Sequence, residues 1–227
     1  IRQEGQQWGD EHGIEIDEFS VNKVEILKGP ASLAYGSDAM AGVINMLSAP
    51  TLPEGQKMAN FLANYQTNNG LGSLSGNFMG NHRGLIWDLR ASGKAAHAYK
   101  NRFDGPVFNA GFREKTVGGI VGLNKSWGYA HLHFSFYGLE PGLVEGERDS
   151  LTGRFLVPIA VDADTEGSRP ATGADFKNYA PDVPFQKIRH AKMVLNNSFV
   201  FGESTLKATL GFQQNSRQEF ADVLHPD

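Results

Sequence analysis

The densest group of side chains with chemistry to offer lies near the start of the chain, in the run QQWGDEHG at positions 6–13. Trp8 presents a flat apolar face for stacking, and Gln7 beside it offers an amide donor and acceptor. Asp10, Glu11 and His12 are hard or borderline metal ligands set close together. The run suits contact with a ligand such as a metal or a metal chelate. The plainer alternative is a polar loop capped by an aromatic, because adjacent ligand-type residues rarely converge on an ion without further partners. A second candidate is a histidine group. His131 and His133 stand two apart, on one face of an extended segment, and His190 faces them from a neighbouring one. Such a pair can bind a metal, although a water-facing strand surface carries polar residues for solvation alone. A third is acidic: Glu140, Glu145, Glu147, Asp149, Asp162, Asp164, Glu166, Asp175 and Asp182 fall within 140–187, against few basic residues. That stretch could gather cations or be ordered by calcium; otherwise it is a long solvated loop, of a length that is usually functional or mobile. No set reads as catalytic.

The composition narrows the classes that could use these groups. Of 227 residues, 40% are hydrophobic and 20% charged, which excludes a disordered chain. The formal net charge is −4 and no basic run occurs, so nucleic acid is a poor partner. Cysteine is absent, which excludes thiolate metal sites, thiol catalysis and a disulfide scaffold. No apolar stretch is long enough for a transmembrane helix, but a barrel strand needs only about 9–11 alternating residues. The opening Ile1-Arg2-Gln3 has neither the basic start nor the apolar run of a signal peptide, and a fragment of a longer protein is expected.

Two textures divide the chain. Residues 1–55 read as a compact mixed segment: a strand from Val21 to Leu27, a turn forced by Gly29-Pro30, a helical turn over Ala31 to Tyr35, and a second strand from Ala41 to Leu47. A linker with two prolines follows, through Gly55. From 56 to 227 the period is two. Leu85, Trp87, Leu89 and Ala91 alternate with Ile86, Asp88, Arg90 and Ser92. Ala130, Leu132, Phe134 and Phe136 alternate with Tyr129, His131, His133 and Ser135, and Leu206, Ala208, Leu210 and Phe212 repeat the pattern. With weaker versions at 58–66, 72–81, 115–124 and 188–201, about seven strands are expected. Tight turns at 81–84, 125–128 and 202–204 alternate with longer links at 67–71, 95–114 and 140–187, and with an unfinished one from Arg217. Short turns on one side and long loops on the other are the rhythm of an outer-membrane barrel. Periodicity by itself leaves soluble sandwiches and lipocalin-like barrels open.

The segment at the front favours the membrane. The run VEILKGPASLAYGSDAMAGVIN, from Val24 to Asn45, resembles the end of the plug of TonB-dependent outer-membrane receptors. It carries the family's hydrophobic-Glu-hydrophobic-hydrophobic-basic-Gly-Pro, then Tyr-Gly-Ser and a Gly-Val-Ile-Asn strand. Lys28 stands where arginine is commoner, and Ala41 where glycine is frequent. The resemblance implies a mainly β fold: part of a transmembrane antiparallel β-barrel of about 22 strands, with an α+β plug segment over 1–55. The motif residues Glu25, Lys28, Gly29, Pro30, Tyr35, Gly36, Ser37, Gly42 and Asn45 are expected to fold and seat the plug. Gly36 and Gly42 are expected where a Cβ would clash, and Glu25 and Lys28 are expected to pair with each other or with charges of the wall.

The same resemblance implies a function and its partners. The chain is expected to belong to a non-enzymatic importer in the outer membrane of a Gram-negative bacterium, with no cofactor beyond a metal or metal chelate as cargo. The expected cargo is a ferric siderophore, heme or other metal chelate; cobalamin, an oligosaccharide or a free divalent metal are alternatives, and a soluble β-rich binding module is a remoter one. Expected partners are outer-membrane lipid, the small-molecule ligand, and the TonB complex of the inner membrane, reached through a segment outside this sequence. In the family the stretch before the Val24 strand forms an apical plug loop, which makes Gln7, Trp8, Asp10, Glu11 and His12 the expected ligand contacts. An outer-membrane protease or lipase would need a catalytic set at the rim and would have no plug.

Overall fold

A computed structural model of the chain describes residues 15–36, 39 and 42–224. The described residues form thirteen strands, every pairing antiparallel, and three 3-10 turns, with no α-helix among them. At the front, a 3-10 turn (Glu18–Ser20) precedes a hairpin of β1 (Lys23–Lys28) and β2 (Gly42–Leu47), joined through a 3-10 turn at Pro30–Tyr35. Among the described residues, the α component expected of this segment is limited to 3-10 turns. Gly29 (φ +81°) and Gly36 (φ +129°) bracket the second of them in backbone conformations that side chains disfavour. At Gly42 the constraint is contact: a Cβ would lie 2.7 Å from the Leu27 carbonyl oxygen. Gly36 has open space around it, so its requirement is the dihedral and not the clash expected from the sequence.

Beyond the linker, β3 (Lys57–Gln66), β4 (Leu71–His82) and β5 (Leu85–Ala96) follow one another. A small hairpin of β6 (Lys100–Asn101) and β7 (Gly105–Pro106) leads into β8 (Phe112–Lys125) and β9 (Gly128–Pro141). Then β10 (Leu156–Ala160) and β11 (Glu166–Pro170) pair with each other, before β12 (Phe185–Phe201) and β13 (Ser204–Phe220). Seven of these form a single open sheet in the order β3-β4-β5-β8-β9-β12-β13, an up-and-down meander that does not close. All seven strands expected from the period-two pattern are present, most of them longer than the pattern indicated. The 67–71 link is shorter than expected, a four-residue turn in which Asn69 Oδ1 accepts from Leu71 N at 3.3 Å and Gly70 takes φ +58°.

Register fixes which residues share a face. One face carries the rows Ser75, Ser92, Thr116, Tyr137, His190, Asn215 and Asn77, Arg90, Gly118, Ser135, Lys192, Gln213. The other carries Phe78, Leu89, Gly119, Phe134, Met193, Phe212 and Gly80, Trp87, Val121, Leu132, Leu195, Leu210. The polar face is the covered one: Asp88, Lys94, Glu114 and Thr116 are buried, with the front segment lying over them. The apolar face is bare, with Leu132 at 39%, Phe136 at 43% and Leu210 at 67% exposure.

At the end of the sheet opposite the short turns, the two long connections knit together. Val107, Phe108, Phe155, Val157 and Ala171 make a small core, with Ala110 and Phe176 against it. Asn109, in the left-handed region at φ +57°, ties the connections to each other: its Nδ2 donates to the carbonyls of Leu143, Asp182 and Pro184, and its Oδ1 accepts from Asp182 N at 3.0 Å.

Candidate functional site

The chemistry of the described residues concentrates where residues 15–20 cross the polar face of the sheet. Alternation along β5 points Ser92 and Lys94 to that face, and the pairing of Lys94 with Glu114 on β8 sets an ammonium beside a carboxylate. Lys94 Nζ lies 2.7 Å from Glu114 and 3.2 Å from Asp17, and also meets Glu18. The Lys94 and Asp17 side chains are each only 4% exposed. Tyr137 donates its hydroxyl to the second Glu114 oxygen at 3.1 Å, and Ser92 donates to Asp17 Oδ2 at 2.7 Å. Asp17 also accepts from Phe19 N at 3.1 Å, which starts the 3-10 turn, and the Phe19 ring lies 4.8 Å from Lys94 Nζ.

A second cluster holds the same segment two residues earlier. The Glu15 carboxylate, 2% exposed, accepts from Asn215 Nδ2 at 2.7 Å, meets His190 Nδ1 at 2.9 Å and pairs with Arg217 at 3.3 Å. Glu15 and Asp17 share a side because they are two apart in extended chain, and Glu18 completes the turn. The enclosed carboxylates of Glu15 and Asp17 therefore fasten the front segment to β5, β12 and β13. Alternative apolar packing could match the stability of such pairs, but removing one partner is costly.

Between this segment and the sheet lies a cavity of about 330 Å³, bordered by Arg90, His133, Ser135, Tyr137 and Lys192 from the sheet and by Val21 and Leu47 from the front. Arg90 is already committed to Asp88 at 2.6 Å. The carboxylates of Asp17, Glu18 and Glu114 come within 4.8 Å of one another, a spacing that suits a cation. The cation there is the Lys94 ammonium, so this cluster is an internal ion pair network and not a vacant metal site.

The structure keeps apart the residues that the sequence grouped together. The His131 and His133 rings are 6.5 Å apart, the stagger of alternate strand positions, and His131 Nε2 is engaged by Asn124 Oδ1 at 2.7 Å. His190 stands opposite Tyr137, whereas His133 stands opposite Val194. With metal–nitrogen bonds of about 2 Å, the three imidazoles do not converge on one ion. Glu25 pairs with Lys23 at 2.6 Å and accepts from Asn45 Nδ2 at 3.3 Å, not with Lys28. The reason is parity: positions 23 and 25 share a strand face and 28 falls on the other, where Lys28 is exposed. Tyr35 is exposed as well. Gln7, Trp8, Asp10, Glu11, His12 and Ser37 lie outside the described residues.

The acidic connection also resolves into local roles. Asp149 accepts from Thr152 N at 2.7 Å, Asp162 from Asp164 N at 3.0 Å, and Asp175 holds Arg169 through two bonds of 2.7 and 2.8 Å. Arg169 keeps the Asp175 carboxyl well below the usual carboxylate range. Glu145, Glu147 and Glu166 border a separate cleft beside Phe108 and Pro158. The Lys94 and Glu15 clusters were beyond sequence reasoning, since the sheet-side partners of Asp17 and Glu15 lie about 75 to 200 positions from them; the available signal was a lysine on the polar side of an otherwise alternating strand. No protein-family model matches the chain, and no curated protein matches it.

Proposed function

We propose that the chain is part of a TonB-dependent outer-membrane receptor that imports a scarce nutrient, a ferric siderophore, heme or another metal chelate. Residues 1–55 are the latter half of the plug, and the seven-stranded sheet is one side of the barrel wall. The observation that carries this reading is the inversion of the sheet. A sheet in water buries its apolar face and wets its polar one; this sheet hides charged residues under the front segment and leaves Phe78, Leu89, Leu132, Phe136 and Leu210 bare. Lipid is the solvent that makes such a face favourable.

The dimensions agree. Outward positions along β12 run from Ala191 through Met193, Leu195, Asn197 and Phe199 to Phe201, with Asn197 the polar exception. That is a rise of roughly 33 Å, or about 25 Å across the membrane at the usual strand tilt. At the short-turn end Trp127 stacks on Phe199 with ring centroids 5.5 Å apart, and Phe201 follows Phe199, an aromatic group where the band meets water. An open sheet edge is not tolerated in lipid, so the reading requires further strands to pair with β3 and β13. The resemblance of Val24 to Asn45 to the plug supplies the transport half of the proposal: ligand binds from outside, and force on the plug from the TonB complex opens a path along the wall.

The full-length protein should need detergent, and its folded form should migrate differently in gels before and after boiling. A soluble protein with boiling-independent migration would rule the reading out. Binding to a panel of ferric chelates, heme, cobalamin and zinc should then select one ligand. Alanine at Trp8, Asp10, Glu11 and His12 together should weaken that ligand at least tenfold; unchanged affinity removes the apical loop from the site.

A further inference from the structure

Register sets the floor of the cavity between the front segment and the sheet. Across its middle run Arg90, Gly118, Ser135 and Lys192, on β5, β8, β9 and β12. Gly118 contributes no side chain, and a Cβ there would lie 3.0 Å from the Phe134 carbonyl oxygen, so the floor beside Ser135 is bare backbone. Three carboxylates also border the cavity, and each has its own cation: Glu15 has Arg217, Asp17 has Lys94, and Asp88 has Arg90. Lys192 differs from these cations, because no ion pair among the described residues engages its ammonium. Lys94 and Asp88 lie three strands away from it, about 14 Å at the backbone, so the acidic groups there do not neutralise it. Glu15 is nearer, but Arg217, Asn215 and His190 occupy its oxygens.

A second observation concerns Thr116, one row nearer the Lys94 cluster on β8. It borders the same cavity, is 9% exposed, and its Oγ1 has no hydrogen-bond partner among the described residues. Buried hydroxyls are nearly always partnered, and Tyr137, opposite it on β9, gives its own hydroxyl to Glu114. An unpaired ammonium, the serine hydroxyl beside it and a buried threonine hydroxyl thus present three donors to one cavity. We propose that this cavity holds a small oxyanion, a phosphate or a carboxylate group, between Lys192, Ser135 and Thr116. The charge-assisted bond from Lys192 supplies most of the attraction, and the hydroxyls orient the anion. The volume, about 330 Å³, is at the small end of ligand pockets and suits such a group better than a large chelate. The front segment roofs the site, so an anion bound there favours the docked segment over a lifted one. The inference goes beyond nutrient import and does not need it, because the site depends only on the segment lying on the sheet.

The test uses the full-length protein in detergent, with inorganic phosphate as the probe and chloride holding the ionic strength constant. Calorimetry reads binding, and hydrogen exchange over residues 15–22 reads the docked segment. Wild type should bind phosphate saturably and gain protection over 15–22 as phosphate rises. Lys192→Met should lower phosphate affinity about tenfold and Thr116→Val about threefold, the effects of losing a charged and a neutral hydrogen bond. Neither change removes a hydrogen bond to the described front segment, so protection without phosphate should match wild type in both. Wild-type affinity in both variants, or binding that leaves exchange over 15–22 unchanged, would mean an adventitious ion only and would overturn the proposal. Acetate that competes with phosphate, and weakens likewise in Lys192→Met, would support the site and show that a carboxylate fills it as well. Neither readout depends on which solvent meets the outer face of the sheet. Failure here therefore leaves the import reading standing, and loss of that reading leaves this site standing.

Discussion

Lys94 shows how much one side chain carries at the join between the front segment and the sheet. Its ammonium balances Asp17 and Glu114, both enclosed with it, and touches Glu18, which is 66% exposed and contributes little. Lys94→Met keeps the volume and removes the charge, leaving two carboxylates out of water without a counter-ion. Breaking a buried pair from one side costs about 3–5 kcal/mol. The cost should appear locally, as faster hydrogen exchange over residues 15–22, while the strands of the sheet stay protected. Adding Asp17→Asn should recover part of the loss, because one of the stranded charges is gone. Equal protection in wild type and Lys94→Met would show that the segment is held by something else. The sequence offered only one sign of this, a lysine on the polar side of β5. The motif residues Glu25 and Lys28 attracted attention as charges in a recognisable run, yet they sit on opposite faces of a short strand, and the fastening falls to Glu15 and Asp17 just ahead of it.

At the scale of elements, the strands were legible and the connections were not. Period-two alternation locates a strand wherever its two faces meet different surroundings, as in β5, β9 and the first half of β13. The second half of β13 was missed because Gln214, Ser216 and Gln218 replace the apolar series on its outward side. It continues because Asn215 and Arg217 bind Glu15 and Phe220 stacks on Phe185 with centroids 4.6 Å apart. The cap of knitted connections was invisible for a related reason: its core draws single residues from segments that look like loops. The cap also carries a pH signature. Burial, with the nearby Asp175 carboxylate, raises Asp182 from its ordinary value, while Arg169 lowers Asp175. Asp182 binds protons more readily in the folded cap than in the open one, so the cap loosens as pH rises through that raised value. Asp175 does the reverse, and its contribution is lost only in strong acid, as pH falls through its lowered value. Hydrogen-exchange protection over 105–111 and 142–184, taken relative to the intrinsic rate at each pH, should therefore be greatest in mild acid. Asp182→Asn should remove the loss of protection above that range and tighten the cap at neutral pH, since the bonds to Asn109 come from the Asp182 main chain. A variant with the wild-type pH profile would place the titration elsewhere.

At the scale of the molecule, the question is which solvent the bare face meets, and a single charge can answer it. Leu132 lies midway down the apolar band, in the row with Val121, Leu195 and Leu210, and is 39% exposed. In water, an arginine at an exposed strand position changes stability by no more than about 0.5 kcal/mol. In a bilayer, the same arginine near the midplane costs about 2–4 kcal/mol, falling toward zero at the interfaces. The informative series is thus Leu132→Arg, Phe136→Arg and Gly138→Arg, one strand sampled at three depths while its hydrogen bonding stays the same. Refolding of the full-length protein into lipid vesicles, followed by urea titration, should give a penalty that is largest at 132 and smallest at 138. Ser135→Arg, on the covered face of the same strand, separates this effect from simple crowding, because its cost should not depend on whether the protein is in thick or thin bilayers, whereas the Leu132 penalty should grow with thickness. A flat series would mean that water, or another protein surface, lies against the apolar rows, and the inversion of the sheet would then need an interface and not a membrane to account for it.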